Sequence, residues 1–390
     1  MKRVLYSIVA VLLITTVVFV LSCNKDKEPD TGNVTGVVYS ENGVKTIPGA
    51  LIWMDHNDIF YHTYTDKNGS FELAIPEGTH MLYIQTGNGE IFRSSLEVVV
   101  EADQMLEIPN GSLKLHQAAN LGYIAGLYDN IETIIIDSLG YTCTELFQSD
   151  LDNISTLQNY DAIFLNCGKT FNLDSMKFEN LRTYVEGGGS IYASDFAVEY
   201  LTGDYGTKSY TVHGTPAPKG KAPCSSALGG GFIPDSILCT STTGPATMVY
   251  NADIVDQDII TLLGKNTIDL EYDLSGWEVV SHYEYPWEVL VSDQTYGALA
   301  LRMVMPTTIP YTQPPGNWIT ICHYPPGNTS NPITITINVA ALPAHLAHGD
   351  HIGPCAGSGG TIIFTTFHNH HQGGLSDDVM RILEHFILNL

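Results

Sequence analysis

Histidine is spread unevenly along this chain. Seven of its 14 histidines fall between His323 and His371, and cysteines flank the densest part, at Cys322 and Cys355. The segment "LPAHLAHGDHIGPC" carries His345, His348, Asp350 and His351. His345 and His348 are three apart, so on a helical turn they share a face, as metal ligands do. In "FHNHH", His368 and His370 point to one side of a strand. Neutral imidazoles suit zinc, and the scattered carboxylates of an acidic chain admit calcium. The plainer alternative is that these histidines only hydrogen-bond within the fold. Cys322 and Cys355 could join a metal only as thiolates; otherwise they close the segment as a disulfide. Which of the two holds depends on the redox compartment.

The N-terminus bears on that choice. "MKRVLYSIVAVLLITTVVFVLSC" has a basic start at Lys2 and Arg3, an apolar run to Leu21, then Ser22 and Cys23. This is the plan of an export signal, with an uncleaved membrane helix as the alternative. "VLSC" resembles a bacterial lipobox, with Leu21 bulkier than usual. That resemblance implies residues 1–22 as signal peptide, a lipid on Cys23, and residues 23–31 as a tether. The "CNKD" start and the acidic residues after it resemble surface-exported lipoproteins of Bacteroidota-type bacteria. The implied place is the outer membrane, lipid-anchored, facing the cell surface. The formal net charge of −25 excludes nucleic acid as a partner, because nothing here would neutralise phosphates. Of the seven cysteines, six remain without Cys23, an even number for an oxidising compartment. Cys224–Cys239 and Cys322–Cys355 are the local pairs; Cys143 and Cys167 sit in apolar, strand-like runs.

Residues 32–115 read as all-β, with several short strands and turn signals between them. Asp66-Lys67-Asn68-Gly69 is one such turn, with glycine where a positive φ is needed. "GNVTGVVYS", "IPGALIWM" and "TYTDKNGSFELAIPEGTHMLYIQTG" resemble the carboxypeptidase regulatory-like (transthyretin-like) family. That resemblance implies an accessory β-sandwich without catalytic residues of its own. "PNGSLKLHQAAN" looks like a linker. From residue 119 the pattern alternates strand and helix, which predicts an α/β doubly wound parallel sheet. "NIETIIIDSLG" reads as a helix with Asn130 as cap and Gly140 as stop, and "SDDVMRILEHFILNL" as a closing helix capped by Ser376. Residues 204–357 interrupt the α/β domain of 119–390 as a long, partly β excursion. It contains the Cys/His-rich insertion 318–356. The fold class is thus multidomain: an all-β sandwich followed by α/β.

"YDAIFLNCG", "LRTYVEGGGSIYASDFAVEYL" and "GGTIIFTTFHN" resemble the class I glutamine amidotransferase-like superfamily, including its trehalose-utilisation-type branch. In that family a nucleophilic cysteine stands at the sharp turn after the strand that follows "GGG". Here the turn falls on Ser194 or Asp195. The family histidine maps to His368, with Asn369 and His370 replacing proline and glutamate. The resemblance therefore implies a relative that lacks the nucleophile and the orienting acid. Cys167 ends a strand, where the family has a backbone loop rather than the nucleophile; a buried or disulfide-bonded thiol is the plainer role. "CHYPPGN" and "LPAHLAHGDHIGPC" are similar to a portable, disulfide-closed segment of bacterial surface proteins. Together these readings predict a non-catalytic surface lipoprotein that binds a carbohydrate or protein partner. The alternative is a hydrolase of a surface glycan or peptide that uses Asp195, His368 and a metal.

Overall fold

Alternating apolar residues build the first two sheets. The computed structural model describes residues 30–57, 59–87, 89–168, 173–202, 211–212, 215–216, 238–283, 287–304, 318–323, 333–342, 345, 350–352, 360–367, 369 and 376–390. Strands β1 (Thr31–Val37), β2 (Leu51–His56), β3 (Ile59–Tyr64), β4 (Ser70–Pro76), β5 (Gly78–Gln85), β6 (Phe92–Val100), β7 (Met105–Glu107) and β8 (His116–Gln117) form the N-terminal part. They lie in a three-stranded sheet, β4-β1-β7, and a five-stranded sheet, β3-β2-β5-β6-β8. Val34, Ile52, Phe71, Leu73, Leu82 and Phe92 are buried between them. The predicted turn is present: the Asp66 carboxylate accepts from the Asn68 and Ser70 N–H groups, at 2.8 and 2.9 Å. Gly69 there has φ +76°.

The expected linker is part of the fold instead. Leu113 and Leu115 are buried, and His116–Gln117 pairs with β6 as the edge strand β8. Lys114 between the two leucines bridges to Tyr39, so the polar look of this stretch hid alternate positions that enter the core.

Next come β9 (Leu121–Ile124), β10 (Thr144–Leu146), β11 (Ala162–Leu165) and β12 (Ser190–Ser194), paired in parallel. The Asn130 segment forms a short α-turn, Ile131–Thr133, that runs on as a π-turn, Ile134–Ser138. Ile131, Ile134, Ile135 and Leu139 bury the predicted face, and Gly140 ends it at φ +79°. Asn130 sits at the N-cap without a side-chain cap bond. The helix Ser175–Glu186 is capped by Asp174.

The excursion then contributes β13 (Thr211–Val212), β14 (Thr215–Pro216), β15 (Leu238–Gly244), β16 (Thr247–Ile254), β17 (Thr267–Tyr272), β18 (Trp277–Tyr283), β19 (Glu288–Asp293) and β20 (Gly297–Val304). The insertion adds β21 (Trp318–His323), β22 (Ile333–Asn338) and β23 (His351–Ile352), before β24 (Thr361–Thr365) and the closing helix Asp377–Leu388. Ser376 caps that helix, as expected. The main sheet has nine strands in the order β10-β9-β11-β12-β24-β20-β19-β16-β17. β24 pairs in parallel with β12 and antiparallel with β20. The sheet is therefore mixed rather than all parallel: much of the excursion completes the sheet it was expected to leave.

The two parts share one apolar cluster, in which Ile131, Ile134, Leu383 and Phe386 join the sandwich residues. Polar contacts reinforce the seam. The Tyr141 hydroxyl donates to the Leu115 carbonyl at 3.0 Å, Lys45 pairs with Glu384 at 2.9 Å, and the Gly87 N–H donates to Asn389 Oδ1 at 3.0 Å. The insertion forms its own sheet, β22-β21-β23. Its Ile319, Ile321, Ile335 and Ile337 pack against Leu51 and Trp53. The described strands of the Cys/His-rich segment thus lie on the outer face of the sandwich.

Candidate functional site

The turn after β12 is built by a strand with no exposed residue. Ser190, Ile191, Tyr192, Ala193 and Ser194 are all buried. The next residue, Asp195, has φ +44°, a left-handed conformation uncommon for a residue with a side chain. The residue is 3% exposed. Strand β18 covers it: the Glu278 N–H donates to Asp195 Oδ1 at 2.6 Å. Cys167 Sγ, at the end of β11, donates to Asp195 Oδ2 at 3.5 Å. Burial pushes the Asp195 carboxyl up to about 7, with the Glu278 N–H opposing it. The structure therefore brings together Asp195 and Cys167, which the sequence treated separately. Cys167 is a free, fully buried thiol. Burial first, and the Asp195 carboxyl next, push it far above the ordinary thiol range. A nucleophile needs the opposite, a thiolate beside a cation or base. Cys143 is also a free thiol, pushed up to about 12 mainly by burial.

A buried polar set beside this turn joins the loops after β9, β12 and β24. Ser194 Oγ donates to Asp129 Oδ2. Asp129 Oδ1 accepts from the Asn130 and Asn369 N–H groups, at 2.9 and 3.1 Å. The Asn369 amide in turn bonds the Asn130 N–H and carbonyl, both at 2.8 Å. Asn369 acts here as a staple between loops. His368 lies outside the described residues, as do His348, Cys224 and Cys355. Cys239 lies on β15, opposite His282.

A second cluster sits where the insertion meets the sandwich. Strand β21 ends in His323, and its neighbour Cys322 pairs with His351 of β23. Asp350 Oδ2 lies 2.6 Å from His323 Nδ1 and 2.7 Å from His345 Nδ1. His345 Nε2 reaches Asp55 Oδ2 of β2 at 3.1 Å. His323, His345 and Asp350 are all buried, and each offers a ligand atom within 4.8 Å of the others. Burial pulls His345 down, but its bonds to Asp55 and Asp350 outweigh this and raise it. Burial dominates for His323, which is lowered. Of the four metal candidates read from sequence, His345 and Asp350 fall in this cluster. Its third member, His323, was not among them because it is 22 positions before His345; the pairing of β23 with β21, Cys322 opposite His351, brings it beside Asp350.

No protein-family profile and no curated protein matches the sequence. Solved structures resemble it distantly. A protein named as a GMP synthase component from Thermoplasma acidophilum is 10% identical over 70% of this chain and 94% of that chain, with a TM-score of 0.36. A ThuA-like protein from Bacteroides uniformis is 11% identical over 68% and 88%, with a TM-score of 0.34. A carbohydrate-binding protein, so named, from Bacteroides uniformis is 14% identical over 24% and 45%, with a TM-score of 0.18. Likeness of this degree carries no argument about activity.

Proposed function

We propose that the protein is a non-catalytic binding module of the bacterial cell envelope. In this reading it is anchored by a lipid on Cys23 at the outer membrane and engages a carbohydrate or protein partner at the surface. The observation that carries the non-catalytic part is the state of Asp195. It occupies the turn where a nucleophile would stand, yet the residue is 3% exposed and its carboxyl lies under β18. Disulfides Cys322–Cys355 and Cys224–Cys239 belong to the same proposal, since both need an oxidising compartment. In support, Cys322 is not among the free thiols of the described residues.

The alternative, a hydrolase using Asp195, His368 and a metal, needs an open Asp195 with the metal beside it. The histidine cluster is instead built against Asp55 on the sandwich. The test is a binding screen of the purified chain on envelope glycans and proteins, run beside a turnover assay on the same ligands. Asp195→Asn and His368→Ala are the variants. Binding retained in both variants, with no turnover in the wild type, is the expected result. Turnover lost in both variants would replace this proposal with the hydrolase.

A further inference from the structure

The buried His323–Asp350–His345 cluster is arranged as a metal site is, and its hydrogen bonds say which nitrogens would be used. One carboxylate oxygen, Asp350 Oδ2, receives the Nδ1 atoms of both imidazoles, at 2.6 and 2.7 Å. Three donor groups from three segments converge without exposure: the end of β21, the turn at His345 and the residue before β23.

We propose that His323, His345 and Asp350 bind a divalent transition-metal ion of the zinc class, through the two Nδ1 atoms and the Asp350 carboxylate. Asp55 of the sandwich acts as the outer partner of His345.

Two features of the hydrogen bonding support this choice of atoms. His345 Nε2 is already held by Asp55 at 3.1 Å. Loss of the Nδ1 proton therefore leaves the neutral tautomer with Nε2–H on a carboxylate, the arrangement that orients histidine ligands and strengthens them as donors. His323 Nε2 is buried and has no hydrogen-bond partner. Among the described residues nothing competes for a proton there, so the proton on Nδ1 can move to Nε2 without breaking another bond. That frees Nδ1 for a metal.

The donor set selects the ion. Two imidazoles with one carboxylate suit zinc and its neighbours; calcium and magnesium take oxygen ligands. Cysteine is excluded from the set, because Cys322 is not a free thiol. Asp55 lies on β2, whereas the three ligands lie on the insertion. The bound site would therefore be joined to the sandwich through the His345–Asp55 hydrogen bond. This inference does not rest on the binding-module proposal and would stand if the chain proved to be a hydrolase.

The experiment is titration of the full chain, stripped with EDTA, with zinc chloride and with cobalt(II) chloride. Calorimetry reads the affinity, and the visible spectrum of cobalt reads the geometry. One equivalent of each metal is expected, with a cobalt spectrum of nitrogen and oxygen donors. His323→Gln and Asp350→Asn should abolish the binding. Asp55→Asn should weaken it by roughly 10–100-fold, as outer partners of metal ligands do. Absence of binding in folded wild-type protein would overturn the proposal, as would unchanged affinity in His323→Gln and Asp350→Asn. Should either variant fail to fold, zinc-edge X-ray absorption of the wild type decides. Imidazole and oxygen scattering is expected, and sulfur scattering would overturn the assignment.

Discussion

Asp195→Asn should stabilise the protein, and the gain should grow with pH. Burial raises the Asp195 carboxyl to about 7, against an ordinary value of 3.8 that the unfolded chain retains. The folded state therefore holds this proton more tightly than the unfolded state does. By linkage, the contribution of Asp195 to stability is complete below pH 3.8, declines as pH rises, and is gone above about 7. At about 1.36 kcal/mol per pH unit, the gap corresponds to ~4 kcal/mol as an upper bound. Asparagine removes the ionisation and keeps the geometry: its carbonyl oxygen can still accept the Glu278 N–H that Asp195 accepts at 2.6 Å. It also adopts the φ of +44° readily. What it gives up is the weak bond from Cys167 Sγ at 3.5 Å. The expected gain is thus roughly 2–4 kcal/mol at pH 8.5 and close to zero at about pH 4. Urea unfolding of both proteins across that pH range measures it. An equal effect at every pH, or a loss of stability at pH 8.5, would mean that Asp195 is held ionised in the folded state. The non-catalytic assignment of this turn would then fall with the reasoning.

Other outcomes follow from packing and cysteine chemistry. With Cys23 lipidated and the two proposed disulfides formed, Cys143 and Cys167 are the remaining thiols. Alkylation should proceed slowly in native protein and reach two thiols in denaturant; six without prior reduction would exclude the disulfides. Gly360→Ala should destabilise by more than about 3 kcal/mol, since a Cβ there would lie 1.8 Å from the Gly189 carbonyl oxygen. Thermal unfolding checks this, and a neutral result would mean that β12 and β24 approach less closely than described. Leu115→Ala should cost roughly 2–5 kcal/mol, as buried leucines do. The expected linker would then behave as core, whereas a true linker would show almost no change in urea midpoint. Ile321→Ala, at the insertion's contact with the sandwich, should expose the β21–β22 segment to hydrogen exchange without a comparable change in β9–β12.

Local periodicity revealed the helices at Ser175–Glu186 and Asp377–Leu388 and most of the strands, because their caps and apolar faces lie within a few residues of each other, but it passed over the helix Gln257–Leu263. Asp174 and Ser376 cap their helices through side-chain oxygens, and Ile131, Ile134 and Ile135 share a buried face. Pairing was less legible. Whether Gly297–Val304 leaves the sheet or extends it depends on β24, which lies about sixty residues later and pairs with it in antiparallel register. The candidate sites divide the same way. Asp195 could be placed on its turn from the strand before it, but the strand that buries it lies at Trp277–Tyr283. His345 and Asp350 are five residues apart and could be grouped, while His323 and Asp55 join them only through tertiary structure.

One signal for the insertion's docking site was nevertheless present in the N-terminal part. A strand with one face on a core and one face in water alternates apolar and polar residues. "LIWM" at the start of β2 does not: Leu51, Ile52, Trp53 and Met54 are all buried. Ile52 and Met54 face the sandwich core, so Leu51 and Trp53 must be covered from the other side. The alternating isoleucines of "WITICH" and "ITITIN" are the matching surface, and Ile319, Ile321, Ile335 and Ile337 meet Leu51 and Trp53 there. The same strand presents Asp55, two residues beyond Trp53 and on the same face, to His345. An apolar contact therefore sets the register in which the histidine cluster reaches its outer carboxylate. A sandwich without the insertion would leave Leu51 and Trp53 exposed, and an insertion without the sandwich would leave His345 with one carboxylate instead of two. The N-terminal sandwich is on this account more than a spacer, because it supplies one wall of the histidine site.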